Sequence, residues 1–303
     1  MNYERFLERD ISGIRETLRE FRSDHTSDEL FHAIARFAVL AYAPSQHAKH
    51  AVIACVSAYE LRDHPSYDEL LTECAIYAAS SRAPWSEPPM TDPPKEEPPG
   101  DASPRQRAEY WLAQHYDDPD FAHEYFSAAA ADFEDLGHKL IVAVTAWKLA
   151  AILGEQGRYA TLRVGVWEMT AYEGRYEERG KALETEPLLA RLIDDLDANS
   201  GDIVAAHAIF LLDAALQTSD EDVIRRVRDY LTGGVAAGVS PAGRPRTAAP
   251  TQIPVYRLAR DYGALLKMHA LARRFPKSDT NRMLAASQYN LDHAPSFEEF
   301  SFA

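Results

Sequence analysis

The chain has 303 residues, room for one large domain or two of ordinary size. Its 46% hydrophobic and 26% charged content is that of a soluble globular protein, and a formal net charge of −15 argues against nucleic acid or an anionic membrane as the main partner, since both need a basic footprint. No apolar run approaches the roughly 20 residues of a membrane span, and the start "MNYERFLERD" lacks a basic region followed by an apolar core, so a cytoplasmic protein is expected.

Apolar residues recur at helical spacing nearly everywhere and long alternating strand patterns are missing, which predicts an all-α fold. Phe6, Leu7, Ile11, Ile14, Leu18 and Phe21 form one face of a first helix. "SDELFHAIARFAVLAYAP" follows, with Ser27 or Asp28 as the expected N-cap and Pro44 beyond its end. The stretches "HAVIACVSAYEL" and "SYDELLTECAIYAASSR", separated by "RDHP", form a helical hairpin. Cys55 and Cys74 lie on its apolar positions and are expected to be reduced core residues without a bridge.

The segment from Pro84 to Pro104, "PWSEPPMTDPPKEEPPGDASP", carries eight prolines. Proline removes donors and blocks helix, so this is an extended connector, either a surface linker or a strap packed across a site. It divides an N-terminal helical part, residues 1–83, from a C-terminal part, residues 105–303, and the two are expected to pack as one multi-helical bundle of hairpins. In the second part, "RQRAEYWLAQHY", "DFAHEYFSAAAADFEDLG", "HKLIVAVTAWKLAAILGEQG" and "RYATLRVGVWEMTAYEGRYEERG" read as helices. So do "TEPLLARLIDDLDA", "DIVAAHAIFLLDAAL" and "DEDVIRRVRDYLTGG". A Gly/Ala/Pro-rich break over 233–250 precedes "VYRLARDYGALLKMHALARRF" and "DTNRMLAASQYNLDH".

Familiar catalytic signatures are absent, including GxGxxG, GxxxxGK[ST], HExxH, CxxC and GxSxG. The chemistry that remains lies in four histidines, His32, His50, His138 and His207, each in or at the start of a strongly apolar helix. Imidazole nitrogen is a good ligand for iron or zinc, and several helices can aim imidazoles at one interior point. A single such histidine is usually a satisfied core residue, so the reading rests on there being four. His47 sits at the entrance of the helix that carries His50 and reads as part of its solvated first turn. Lys267, in "YGALLKMHALARR", either snorkels or adds a ligand or charge to the same site.

Several of these segments resemble questin oxidase-like proteins. "ELFHAIARFAVLAY" is similar to their early histidine-bearing helix, and "HAVIACVSAYEL…DELLTECAIYAA" to the stretch in which a histidine precedes an "ALE" motif. "LIVAVTAWKLAAIL" resembles their "H-x-V-T" helix and "GDIVAAHAIFLLDAAL" their late "H-x-x-K" helix. The segments keep the family's order from Glu29 to Leu216. The resemblance implies an oxygen-using oxidoreductase acting on polycyclic aromatic, polyketide-type compounds at a histidine-rich non-haem iron site. Carried over, His32, His50 and His207 match ligand positions. Val142 stands where the family has histidine, with His138 one turn earlier, and Phe210 stands where it has lysine. On this reading Glu60 hydrogen-bonds a ligand imidazole, and Phe31, Tyr59, Trp147 and Phe210 wall the substrate pocket.

A rival reading comes from "FSAAAADFEDLGHKLIVAVTAWKLAAILGEQGRYATL", which looks like one tetratricopeptide-type unit and implies a non-catalytic helical scaffold or a small-molecule-binding protein. Such scaffolds need several copies.

Overall fold

The computed structural model describes residues 1, 3–42, 48–60, 62–63, 67–81, 92–171, 174–198 and 203–233. Among these are twelve α-helices and no strand, so the fold is all-α. The helices are α1 (Glu4–Leu7), α2 (Ile11–Asp24), α3 (Ser27–Leu40), α4 (Ala48–Glu60), α5 (Tyr67–Ser81), α6 (Pro104–His115), α7 (Phe121–Ala129), α8 (Glu134–Leu153), α9 (Glu155–Met169), α10 (Thr185–Ala198), α11 (Ile203–Thr218) and α12 (Glu221–Gly233). Their contacts group into two compact units, and α8 contributes its first residues to one and the remainder to the other.

The first unit is Met1–Ala129 with Val142–Glu173. Here the expected single first helix is two, because Arg9 takes a left-handed φ of 59° and Asp10 then caps α2 by accepting the Gly13 N–H at 3.0 Å. The break turns Ile11 outward, to 40% exposure. The cap of α3 falls on Thr26, one residue before the expected positions. Thr26 accepts the Glu29 N–H at 3.2 Å while the Glu29 carboxylate accepts the Thr26 N–H at 2.8 Å, a reciprocal capping box. α4 packs on α5, α3 covers both, and α6 packs along α9. Phe6, Phe31, Phe37, Leu71 and Tyr125 are fully buried. Of the proline-rich connector, residues 92–103 contain no helix or strand, and Ser103, Pro104 and Gln106 start α6 with a second capping box.

One polar group of this unit is placed as deeply as its apolar core. Glu168 near the end of α9 accepts hydrogen bonds from the Tyr42 hydroxyl and, at 3.3 Å, from Lys49 in the first turn of α4. Glu168 is 0% and Lys49 1% exposed. A charge that deep survives only when paired.

The second unit is Ala130–Ile141 with Gly174–Ala303, described as far as Gly233. α11, apolar on nearly every side, packs between α10 and α12. The segment leading into α10 is pinned by buried Asp229, whose carboxylate accepts the Tyr176 hydroxyl at 2.9 Å and the Lys181 N–H at 2.8 Å, together with the Arg179 N–H. Phe133, Tyr176 and Tyr230 close this side with ring centroids 4.7–5.4 Å apart.

Among the described residues α8 is the helix long and apolar enough to cross a membrane, despite the lysines that interrupt its sequence. Of its most apolar 18-residue window, 72% is buried inside the protein, the pattern of a core helix.

Candidate metal centre

The site begins with a backbone feature. Just ahead of the regular part of α8, Asp135 (φ 50°, ψ 47°), Leu136 (φ 61°, ψ 23°) and Gly137 (φ 80°, ψ 19°) are consecutively left-handed. That conformation costs an L-residue about 1–2 kcal/mol, so the two non-glycine members hold strain that their surroundings must enforce. Four contacts do so. The Asp132 carboxylate accepts the Glu134 N–H at 3.1 Å and pairs with the buried Lys139 ammonium, bracketing the turn from both ends. The Gly137 N–H donates to the Phe133 carbonyl at 3.2 Å. A Cβ on Gly137 would lie 2.6 Å from Leu211 Cδ2 on α11, so this backbone touches α11 as only glycine can.

The turn delivers His138. Its Nδ1 faces the Asp135 carbonyl, with an Asp135 carboxylate oxygen 3.4 Å away. A carbonyl only accepts, so Nδ1 carries the proton and Nε2 is left with its lone pair. His207 comes from α11 one turn before Leu211, and its Nε2 stands 3.1 Å from His138 Nε2, the rings 4.7 Å apart at 62°. Both imidazoles are buried, His138 at 3% and His207 at 9% exposure. With a proton on His207 Nε2 this contact is an N–H···N hydrogen bond. With that proton on Nδ1, it is a pair of lone pairs facing one small volume.

The separation fits a metal. Neighbouring ligand nitrogens at right angles around a six-coordinate ion, with bonds of about 2.1–2.2 Å, lie about 3.0–3.1 Å apart. The Asp135 carbonyl that fixes the His138 tautomer is the kind of partner ligand histidines use. The residues present therefore fit an imidazole-bound divalent ion.

Of the residues named from sequence, the second unit brings together His138, His207 and Phe210, whose ring lies 6.4 Å from that of His207. The others described belong to the first unit. There His32 is half-buried on α3 with its ring edge-on to Phe31 at 5.7 Å, and His50 is half-buried in the first turn of α4. Phe31 packs on Tyr59 at 4.9 Å. Trp147 lies against Phe121, Tyr125 and Phe126 at 5.3–6.1 Å, and Glu60 pairs with Lys148 on α8. Val142, at the family's histidine position, is fully buried core. Lys267 and His47 lie outside the described residues. Sequence reasoning missed Asp135, Lys139 and Leu211. Gly137 ahead of a histidine was the available signal for a special turn. No local signal marks a left-handed leucine.

No protein-family model, no curated protein and no solved structure matches the chain.

Proposed function

We propose that this protein is a metal-dependent oxidoreductase of the questin oxidase-like type, with non-haem iron held by His138 and His207 and a small polycyclic aromatic compound as substrate. The observation that carries the reading is the buried Nε2–Nε2 separation of 3.1 Å, set on a strained turn that fixes one tautomer. Bound iron would supply the activation of dioxygen that oxidation of an aromatic ring needs. The protein's own part is clear from its residues. The Asp135 carbonyl holds the Nδ1 proton of His138, Leu211 and Gly137 fix where the imidazole starts, and apolar α11 with Phe210 keeps water from the nitrogens. The sequence resemblance adds His50 and His32 to the ligand set.

Protein prepared without chelator tests this directly. About one iron per chain is expected in the wild type, with loss of most of it in His138→Ala and in His207→Ala. Oxygen uptake with an anthraquinone-type substrate should fall in the same two variants. His50→Ala tests the wider ligand set inherited from the resemblance. A wild type that binds neither iron nor another divalent ion would reduce the pair to a core hydrogen bond, and the non-catalytic scaffold would be the better reading.

A further inference from the structure

Residues 174–184 of the second unit, which lead into α10, contain no helix or strand, and none of their side chains is buried. Apolar burial therefore does little to hold this segment in place. Polar contacts to α12 hold it instead. Asp229, 2% exposed, accepts the Tyr176 hydroxyl and the backbone N–H groups of Arg179 and Lys181. Glu178 pairs with Arg225 and, at 3.7 Å, with Arg226, and Glu184 pairs with Arg228 at 2.8 Å. Ion pairs this near the surface bind weakly, so Asp229 is the main pin. A segment fixed by polar contacts alone opens more easily than the packed helices beside it.

The same segment touches the turn that places His138. The Tyr176 N–H donates to the Ala131 carbonyl at 2.9 Å, and the Arg226 guanidinium bridges that carbonyl and the Tyr176 carbonyl at 3.3 and 3.5 Å. The Tyr176 ring meets Phe133 edge-on at 5.1 Å. A Cβ on Gly174 would lie 2.8 Å from Glu134 Cδ and 3.1 Å from Asp132 Cγ, so the backbone here rests on the carboxylate that brackets the turn. His138 and His207 are 3% and 9% exposed, and an ion reaches them only when something moves. We propose that residues 174–184 are a strap whose release from α12 loosens the 131–137 turn and so opens the His138–His207 pair to an incoming ion. On the reading of that pair as a metal site, on which this rests, Asp229 and Glu178 set how fast the ion exchanges and leave its ligands unchanged.

Two probes applied to the full chain test the strap. Diethyl pyrocarbonate modifies neutral imidazole, so mass spectrometry of His138 and His207, scaled to the exposed His25, reads access to the pair without any metal. Release of Zn(II) to a chromophoric chelator reads the same opening with an ion bound. Asp229→Ala, which removes the charge-assisted hydrogen bonds to the strap, should raise both rates roughly tenfold or more at unchanged Zn(II) stoichiometry. Glu178→Gln, a surface change that leaves the core intact, should raise them about two- to fivefold. Brief trypsin treatment shows where the chain opens, and the faster cuts should fall after the exposed Arg175, Arg179 and Lys181. Cuts spread through the helices of this unit would mean general unfolding and overturn the strap. Faster cutting of the strap with unchanged modification of His138 and His207 would overturn it too. Modification that accelerates as expected in a protein that takes up no Zn(II) would uphold the strap and refute only the metal reading of the pair.

Discussion

Single atoms decide several positions in this protein, and Gly165 shows how. A Cβ there would lie 1.9 Å from the Tyr125 hydroxyl oxygen and 3.1 Å from the Ala143 Cα. The tyrosine cannot retreat, because it is fully buried and its hydroxyl donates to the Leu162 carbonyl at 3.1 Å. Gly165→Ala should therefore cost about 1–3 kcal/mol in urea unfolding, the usual scale of an overpacked core. Adding Tyr125→Phe, which removes the obstructing oxygen, should restore part of that loss. Asp229 gives a second prediction, in pH. Burial pushes its carboxyl up, but hydrogen bonds from Arg179, Lys181, Tyr176 and Gly180 outweigh it and hold the pKa below the ordinary carboxylate value. A depressed folded pKa means stability that is present above the unfolded pKa of about 3.9 and lost as pH falls through the folded value. Wild-type Tm should thus drop more steeply between pH 5 and 2 than that of Asp229→Asn. Parallel slopes would mean that the charge contributes nothing. None of this was legible in the sequence, because Tyr125–Gly165 and Tyr176–Asp229 are long-range meetings with no local signature.

Elements were more legible, since helical periodicity is a property of a dozen residues at once. The His138 and His207 helices announced themselves as apolar runs holding one imidazole each. Boundaries were less so: the split between α1 and α2 follows from a left-handed Arg9, where the sequence reads as one continuous apolar face. The turn at 135–137 shows the same limit, and it is also where the structure can be tested. Gly137→Ala would force a methyl into Leu211 at a φ of 80°. Shortening Leu211 to alanine relieves the collision but leaves the φ cost, so the double variant should recover only part of the stability. If the turn aims His138, the Gly137→Ala protein should also lose metal affinity, and Leu211→Ala alone should lose much less. The join between α4 and α9 offers a contrasting case. Removing one member of a buried ion pair leaves a charge without compensation and typically costs about 3–5 kcal/mol. Glu168→Ala should fall in that range by chemical denaturation, whereas Lys49→Met with Glu168→Leu, which removes both charges, should cost clearly less. Equal losses would show that packing, not charge, sets the energy of this join.

For the molecule as a whole, the division into two units makes metal binding a thermodynamic question as well as a chemical one. His138 and His207 belong to the same unit, as do the turn and the leucine that hold them. An ion that binds the folded pair and not the unfolded chain adds about 2.7 kcal/mol at a hundredfold excess over Kd. For units of this size that is a rise in Tm of roughly 5–10 °C. Calorimetry with redox-inert Zn(II) therefore reads the site without any assay of turnover. If the scan resolves two transitions, the expected result is that one moves upward and the other stays, because the stabilisation enters through the unit that owns the pair. In the His138→Ala, His207→Ala double variant neither should move. A shift of the same size in that variant would place the ion on other residues, and the 3.1 Å contact would then be what two neighbouring imidazoles make of each other when no metal is involved.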